Sequence, residues 1–145
     1  MAASGELLRL VAEEASLPRV MAFVRRRGLE AGLPEGRLDE LDVVVEELFL
    51  NVAKYAYPAG ERGLVEIRCA VDGGGRLEVE IADAGREFNP VLRPDPDLSL
   101  PLEKWPVGGL GIYLVRRMTS ALSYEYEGGW NRLRFSVAAE SGASA

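Results

Sequence analysis

The sequence predicts an α+β fold, a two-layer sandwich in which a mostly antiparallel sheet carries helices on one face. Two pairs of runs that alternate apolar and polar residues are each joined by a glycine-rich turn, which is typical of β-hairpins. One long segment has apolar residues at helical spacing. The strands cluster in hairpins rather than alternating with helices, which favours α+β over a parallel α/β sheet. A length of 145 residues predicts one domain over 1–145.

The N-terminal third is predicted to contain a short strand and a helix. The strand is Leu7–Val11. Ser16, followed two residues later by proline, is typical of a helix start, and the helix continues from Arg19 to Ala31. The basic run Arg25–Arg27 within it is expected to lie on a solvated face.

The next segment is predicted to be a long helix from Glu35 to Tyr57. Its apolar residues step by three or four positions and form one stripe: Leu38, Leu41, Val45, Leu48, Val52 and Tyr55. Strands Leu64–Val71 and Leu77–Asp83 follow as a hairpin. A second hairpin is predicted near the C-terminus, with strands Leu122–Glu127 and Arg132–Ala138.

A proline-rich segment separates the two hairpins. Residues 90–106 hold five of the eight prolines in the chain, which excludes a helix or a central strand and predicts a long loop of the kind that forms lids. Glycines at 108, 109 and 111 then open a short helix that ends near Met118. The small polar residues 140–145 are expected to fray.

Composition excludes several classes of protein. Asp and Glu outnumber Lys and Arg by 23 to 17, and the net charge of −6 argues against direct nucleic-acid binding. The chain has no histidine and one cysteine, which excludes catalysis by Ser-His-Asp or Cys-His groups, histidine metal sites and a disulfide framework. No apolar stretch is long enough to span a membrane, and the N-terminus does not match a signal peptide, so a cytoplasmic protein is expected.

Three clusters could carry chemistry, and each has a plainer explanation. Glu47 and Asn51 are one helical turn apart and offer the oxygen ligands of a Mg²⁺–nucleotide site, or form an ordinary helix rim. Asp83 and Gly85 at a strand end suit a purine amine and a close backbone approach, or a common turn. The glycine run that opens the last helix suits an anion, or a flexible hinge.

The order of these motifs resembles a known family. Helical E-x-x-x-N, D-x-G at a strand end, a proline-rich lid and G-x-G leading into a helix are similar to the GHKL (Bergerat) ATP-binding fold. Within it, ELFLNVAKYAYP, DAGREFNP and GGLGIYLVRRM resemble the anti-sigma factor serine/threonine kinases, as does the stretch Ser123–Phe135 with Asn131. The resemblance covers about Leu7 to Val137.

The resemblance implies roles for individual residues. Glu47 is the expected general base and Asn51 the expected Mg²⁺ ligand. Asp83 is expected to bind the adenine amine, with Gly85 beneath the ring, while residues 90–107 form the ATP lid. The remaining residues implied to bind the nucleotide are Lys54, Phe88, Gly108, Gly109, Leu110, Gly111 and Ile112.

By resemblance, the chain is expected to be an ATP-dependent kinase that phosphorylates a serine on a small anti-sigma antagonist and sequesters a sigma factor, acting as a homodimer. The chain also departs from the family pattern. Tyr55 stands where the family often has histidine, Glu87 replaces a glycine, and Val107 replaces a basic residue that some active kinases carry. These departures favour an alternative, a catalytically weak or inactive nucleotide-binding module that acts by sequestering a partner. The catalytic half of a histidine kinase is less favoured, because self-phosphorylation would need a histidine.

Overall fold

The computed structural model describes residues 4–92, 99–101, 103 and 109–139, and they form one antiparallel sheet and three helices. Strands β1 to β5 span Ser4–Val11, Leu64–Val71, Leu77–Asp83, Ser120–Glu127 and Trp130–Val137. Helices α1, α2 and α3 span Leu17–Glu30, Glu35–Tyr55 and Gly109–Met118. The predicted α+β architecture is confirmed, and the bounds of β2 and β3 are as the alternating pattern predicts.

The sheet has the strand order β1-β2-β3-β5-β4, with every neighbouring pair antiparallel. Strand β5 therefore lies between β3 and β4, although β4 precedes it in the chain. The register of β3 with β5 places Asp83 opposite Asn131. This pairing brings the end of the first hairpin and the turn of the second hairpin to the same edge of the sheet.

The core lies between the three helices and one face of the sheet. Alternate strand residues supply the sheet side, and the inward face of α2 supplies much of the helix side, as the period of each pattern requires. The largest fully buried side chains include Phe49, Phe135, Leu38, Leu41, Ile67, Leu77 and Ile112. Helix α2 contacts both α1 and α3, so it is the element that connects the two ends of the helical layer.

Two expectations about the helices are wrong. Helix α2 ends at Tyr55 rather than Tyr57, and the Tyr55 side chain, which the apolar spacing places in the buried stripe, is 44% exposed. Arg27 is only 5% exposed instead of lying on a solvated face. It forms ion pairs with Glu30 and with Glu6 of β1, because Glu6 lies on the side of the sheet that α1 covers.

Other predictions on the chain have mixed outcomes. The helix that follows the glycines is confirmed as α3. Of the proline-rich loop, Pro90–Leu92 forms a short 3-10 turn, while most of the predicted lid and all of the predicted frayed tail lie outside the described residues. None of the helices in the described parts of the chain is long and apolar enough to cross a membrane.

Candidate nucleotide-binding site

A pocket opens between the C-terminal half of α2 and the edge of the sheet where β3 ends and β5 begins. Its walls are mainly apolar, formed by Leu48, Val52, Ile81, Phe88, Pro90 and Leu133. Its polar lining includes Asn51 from the helix, and Asp83 and Asn131 from the sheet. An apolar cavity with a few convergent polar groups is the usual form of a small-molecule site.

Asp83 is the acidic group in the described lining of this pocket, which also includes Arg86, and Asp83 is 5% exposed. Its Oδ1 atom accepts hydrogen bonds from the Asn131 side-chain amide and from the backbone N–H of Gly85, both at 2.9 Å. Burial raises the pKa of Asp83, and these two hydrogen bonds oppose that rise. Among the described residues, no group donates to Oδ2, so this oxygen remains available to a ligand that carries an N–H donor.

Asn131 makes several hydrogen bonds on the sheet side of the pocket, although no motif in the sequence assigns it an individual role. Its amide nitrogen donates to Asp83 and to the backbone carbonyls of Gly85 and Arg86. Its amide oxygen accepts from the Phe88 backbone N–H at 3.1 Å and from the Tyr124 hydroxyl. The pairing of Asp83 with Asn131 depends on β3 lying beside β5, and no signal in the sequence alone establishes that neighbour relationship.

Gly85 has a structural reason to be glycine that differs from the expected contact with a flat ligand. A Cβ atom at this position would lie 2.0 Å from the carbonyl oxygen of Ala56, at the end of α2. The same carbonyl accepts a hydrogen bond from the Arg86 backbone N–H at 2.9 Å. The residue therefore lets the strand exit touch the end of the helix, and its contact with a purine stays a prediction.

The helix side of the site brings the first and third sequence clusters together. The Asn51 side-chain amide donates to Glu47 Oε2 at 3.3 Å, and both side chains are half-buried. A Cβ atom at Gly111 would lie 2.1 Å from the carboxylate carbon of Glu47. The Glu47 carboxylate therefore packs directly on the first turn of α3, and glycine at position 111 leaves it that space.

The other predicted site residues fall in different places. Phe88 lines the pocket, and Gly109 and Leu110 begin α3, at a helix N-terminus, which is a type of position that favours anions. The Ile112 side chain is buried in the core. Lys54 is exposed and lines a separate surface groove with Tyr57 at the end of α2. Gly108 lies outside the described residues.

The described residues fit ATP with Mg²⁺. A flat apolar heterocycle with an exocyclic amine matches the apolar walls and the Asp83 oxygen that accepts no hydrogen bond from the described residues. No group of three or more Asp, Glu, His or Cys side chains in the described ranges could hold a metal ion. The amide nitrogen of Asn51 donates to Glu47, and its amide oxygen is a ligand type that Mg²⁺ takes in proteins.

The fold and the pocket together define a two-layer α+β protein with a mainly apolar cavity that contains a buried carboxylate. A family model described as "Histidine kinase-like ATPase domain" matches residues 10–137 of the chain. The chain belongs to this family of ATPase domains, which confirms the family that the sequence motifs indicate.

Two protein kinases are similar to the chain over part of their length. The serine/threonine-protein kinase BtrW of Bordetella bronchiseptica is 28% identical over 93 residues, which are 64% of this chain and 65% of the relative. The serine-protein kinase RsbW of Listeria monocytogenes is 25% identical over 103 residues, 68% of this chain and 65% of the relative. The chain therefore spans about 65% of the length of each of these relatives.

Solved structures share the fold at low sequence identity. The crystal structure of RsbU and RsbW domains from Mycobacterium tuberculosis superimposes with a TM-score of 0.66 at 14% identity, over 93% of this chain and 32% of that one. The histidine kinase domain of a blue-light activated kinase from Erythrobacter litoralis has a TM-score of 0.56 at 19% identity, over 90% of this chain and 62% of that one.

Proposed function

We propose that this chain binds Mg²⁺–ATP and phosphorylates a serine or threonine on a small anti-sigma antagonist protein, and that it also sequesters a sigma factor. The names of the two relatives, both protein kinases for serine or for serine and threonine, support the reaction class. The observation that carries the proposal is the position of Glu47. Its carboxylate accepts a hydrogen bond from the side-chain amide of Asn51, which lines the candidate nucleotide pocket. The same carboxylate packs on Gly111 at the start of α3.

In this proposal each residue acts on one part of the reaction. Asp83 accepts a hydrogen bond from the adenine amine through Oδ2, and the amide oxygen of Asn51 binds Mg²⁺, whose charge neutralises the phosphates. Glu47 takes the proton of the acceptor hydroxyl while the oxygen of that hydroxyl forms a bond to the γ-phosphorus. The bond from that phosphorus to the bridging oxygen breaks at the same time, and ADP leaves.

Nucleotide binding is tested first by calorimetric titration with ATP, with and without Mg²⁺. Asp83→Asn replaces the accepting carboxylate and is expected to weaken binding by roughly tenfold to a hundredfold, the worth of one hydrogen bond to a charged group. Asp72→Asn is the matched control, because Asp72 lies on the exposed turn of the first hairpin and bonds only to backbone N–H groups there. Equal binding by wild type and Asp83→Asn would contradict the assignment.

Phosphoryl transfer is tested with radiolabelled ATP and candidate serine-bearing proteins. Glu47→Gln is expected to lower transfer by about a hundredfold or more while ATP binding is retained, because general-base catalysis contributes at least that much. Glu40→Gln is the matched control, since it makes the same change about two turns earlier on α2, where the carboxylate pairs with Arg37. Tight ATP binding with no transfer to any partner would favour the sequestering module instead.

The proposal includes partners and a place of action. We expect a cytoplasmic homodimer that binds its sigma factor as a folded complex. Light scattering on a gel-filtration column would give the mass of the free protein, and the same column with a candidate sigma factor would detect the complex. A monomer at all concentrations would contradict the expected homodimer and would leave the proposal for the nucleotide site unchanged.

A further inference from the structure

A second groove lies between α2 and α3, next to the Glu47 carboxylate. Val43, Glu46 and Leu50 of α2 line one wall together with Glu47, and Gly111 and Leu114 of α3 line the other. The α2 residues recur at helical spacing, so they lie along one face of the helix. We refer to this surface as the α2–α3 groove.

The apolar residues of the α2–α3 groove are not part of the hydrophobic core. Val43, Leu50 and Leu114 do not belong to the core cluster or to the partly buried side chains that pack against it. Val43 is 44% exposed, although it lies in the middle of a helix whose opposite face is fully buried. Apolar side chains that converge on a functional carboxylate without serving the core indicate a surface for a bound segment.

The charge of the α2–α3 groove is one-sided. Glu46 is exposed, and within the described parts of the chain it forms no ion pair or hydrogen bond. Glu47 adds a second carboxylate, and the described lining includes no Lys or Arg. A segment that carries a basic residue beside an apolar one complements this surface in both charge and polarity.

We propose that the α2–α3 groove binds the acceptor segment of the substrate protein, a stretch in which the target serine or threonine is flanked by an apolar residue and by a lysine or arginine. This proposal rests on the proposed kinase function. The acceptor hydroxyl must come within hydrogen-bond reach of Glu47 to lose its proton, and the groove leads to that carboxylate. Val43 and Leu114 contact the apolar side chain, and Glu46 pairs with the cation.

The test uses a positional-scanning library of serine and threonine peptides with radiolabelled ATP and the full chain. For the wild type we expect selection of Lys or Arg at one position and of Leu, Ile, Val or Met at another. Glu46→Arg is expected to lower transfer to the selected basic peptide by about fivefold and to shift selection at that position to Asp or Glu. Asp39→Arg, an equal change of charge on α2 outside the groove, is expected to leave selection unchanged.

The apolar wall is tested by Val43→Ser, which is expected to raise the KM for the selected peptide with little change in kcat or in the Kd of ATP. A rise in the Kd of ATP instead would mean that the groove receives part of this chain, and would overturn the proposal. The proposal is also overturned if no peptide is labelled by an enzyme that still hydrolyses ATP through Glu47, or if Glu46→Arg keeps the wild-type selection. Absence of both ATP binding and hydrolysis would overturn the proposed function itself, and this proposal with it.

Discussion

The two ends of the candidate nucleotide pocket differ in how firmly hydrogen bonds fix their side chains. At the strand end, Asp83 and Asn131 are 5% and 6% exposed, and Asn131 alone makes hydrogen bonds to five neighbouring groups. At the helix end, Glu47 and Asn51 are half-buried and share a single hydrogen bond of 3.3 Å. The strand end is therefore fixed before a ligand arrives, while the helix end depends on flexible side chains.

The rigid strand end suits nucleotide binding, and the flexible helix end suits the proposed phosphoryl transfer. A pre-organised carboxylate in an apolar pocket lowers the cost of binding a purine, because little has to be ordered when the ligand enters. If Glu47 is the general base, as proposed, it has to meet a hydroxyl that a second protein brings, and side-chain freedom at Glu47 is compatible with that task. Substitutions at the strand end should therefore change stability, and those at the helix end should change turnover.

The largest expected effect is that of Asn131→Ala at the strand end. The substitution removes the hydrogen bonds that Asn131 makes to five groups: the buried Asp83 carboxylate, two backbone carbonyls, one backbone N–H and the Tyr124 hydroxyl. Each buried group left without a partner costs about 1 to 3 kcal/mol. We expect the free energy of unfolding in urea to fall by at least about 3 kcal/mol. Asn89→Ala, which removes an amide that accepts a single N–H from Val91, is the control and should cost about 1 kcal/mol. Similar losses for the two variants would mean that Asn131 does not organise this edge.

Gly85→Ala is expected to have the next largest effect. The new Cβ would lie 2.0 Å from a backbone carbonyl at the end of α2, and backbone atoms cannot rotate away as a side chain can. We expect a loss of roughly 1 to 3 kcal/mol in urea unfolding, typical of overpacking. Gly73→Ala in the exposed hairpin turn, where a Cβ would meet nothing within 4 Å, is the matched control. A neutral Gly85→Ala would show that the helix end and strand exit are loosely joined.

Much of the fold could be predicted because each pattern has a local cause. The alternation of apolar residues predicts the first and last residues of β2 and β3, and the glycine run marks the start of α3. The one-turn spacing of Glu47 and Asn51 places them on one face, and the structure joins them by a hydrogen bond. These features depend on neighbours in the chain, which a sequence displays directly.

Two of the three features that sequence reasoning missed depend on residues that are distant in the chain. Arg27 is buried and pairs with Glu6 of β1, and nothing near Arg27 in the chain signals that contact. Tyr55 continues the spacing of the buried stripe, but α2 ends there, and the side chain lies at the surface. Asn131 reaches Asp83 only because β5 is inserted between β3 and β4. Long-range pairing, rather than local propensity, decides the surroundings of Arg27 and Asn131.

The strand end also predicts a pH dependence. Burial raises the pKa of Asp83 above 3.8, so the folded chain holds this proton more tightly than the unfolded chain. The stability from this group is therefore complete below about pH 3.8 and is lost as pH rises through the folded pKa. The difference in urea stability between wild type and Asp83→Asn, which cannot titrate, should become less favourable to wild type as the pH rises above about 3.8. The affinity of the wild type for ATP should rise over the same pH range, because the charged Asp83 carboxylate is the better hydrogen-bond acceptor. A difference that is flat with pH would contradict the raised pKa.

Gly111→Ala has the smallest expected effect on stability and a large one on turnover. Its Cβ would meet the carboxylate of Glu47 at 2.1 Å, and that carboxylate is the free end of a side chain that can rotate away. Alanine also favours a helix over glycine by about 0.5 to 1 kcal/mol, so the free energy of unfolding should stay within about 1 kcal/mol of wild type. If Glu47 is the base, as proposed, its displacement from Asn51 should lower hydrolysis or transfer per bound ATP by about tenfold or more. Unchanged turnover in a stable Gly111→Ala would show that the base needs no fixed position, and a large loss of stability would show that the helix end is as rigid as the strand end.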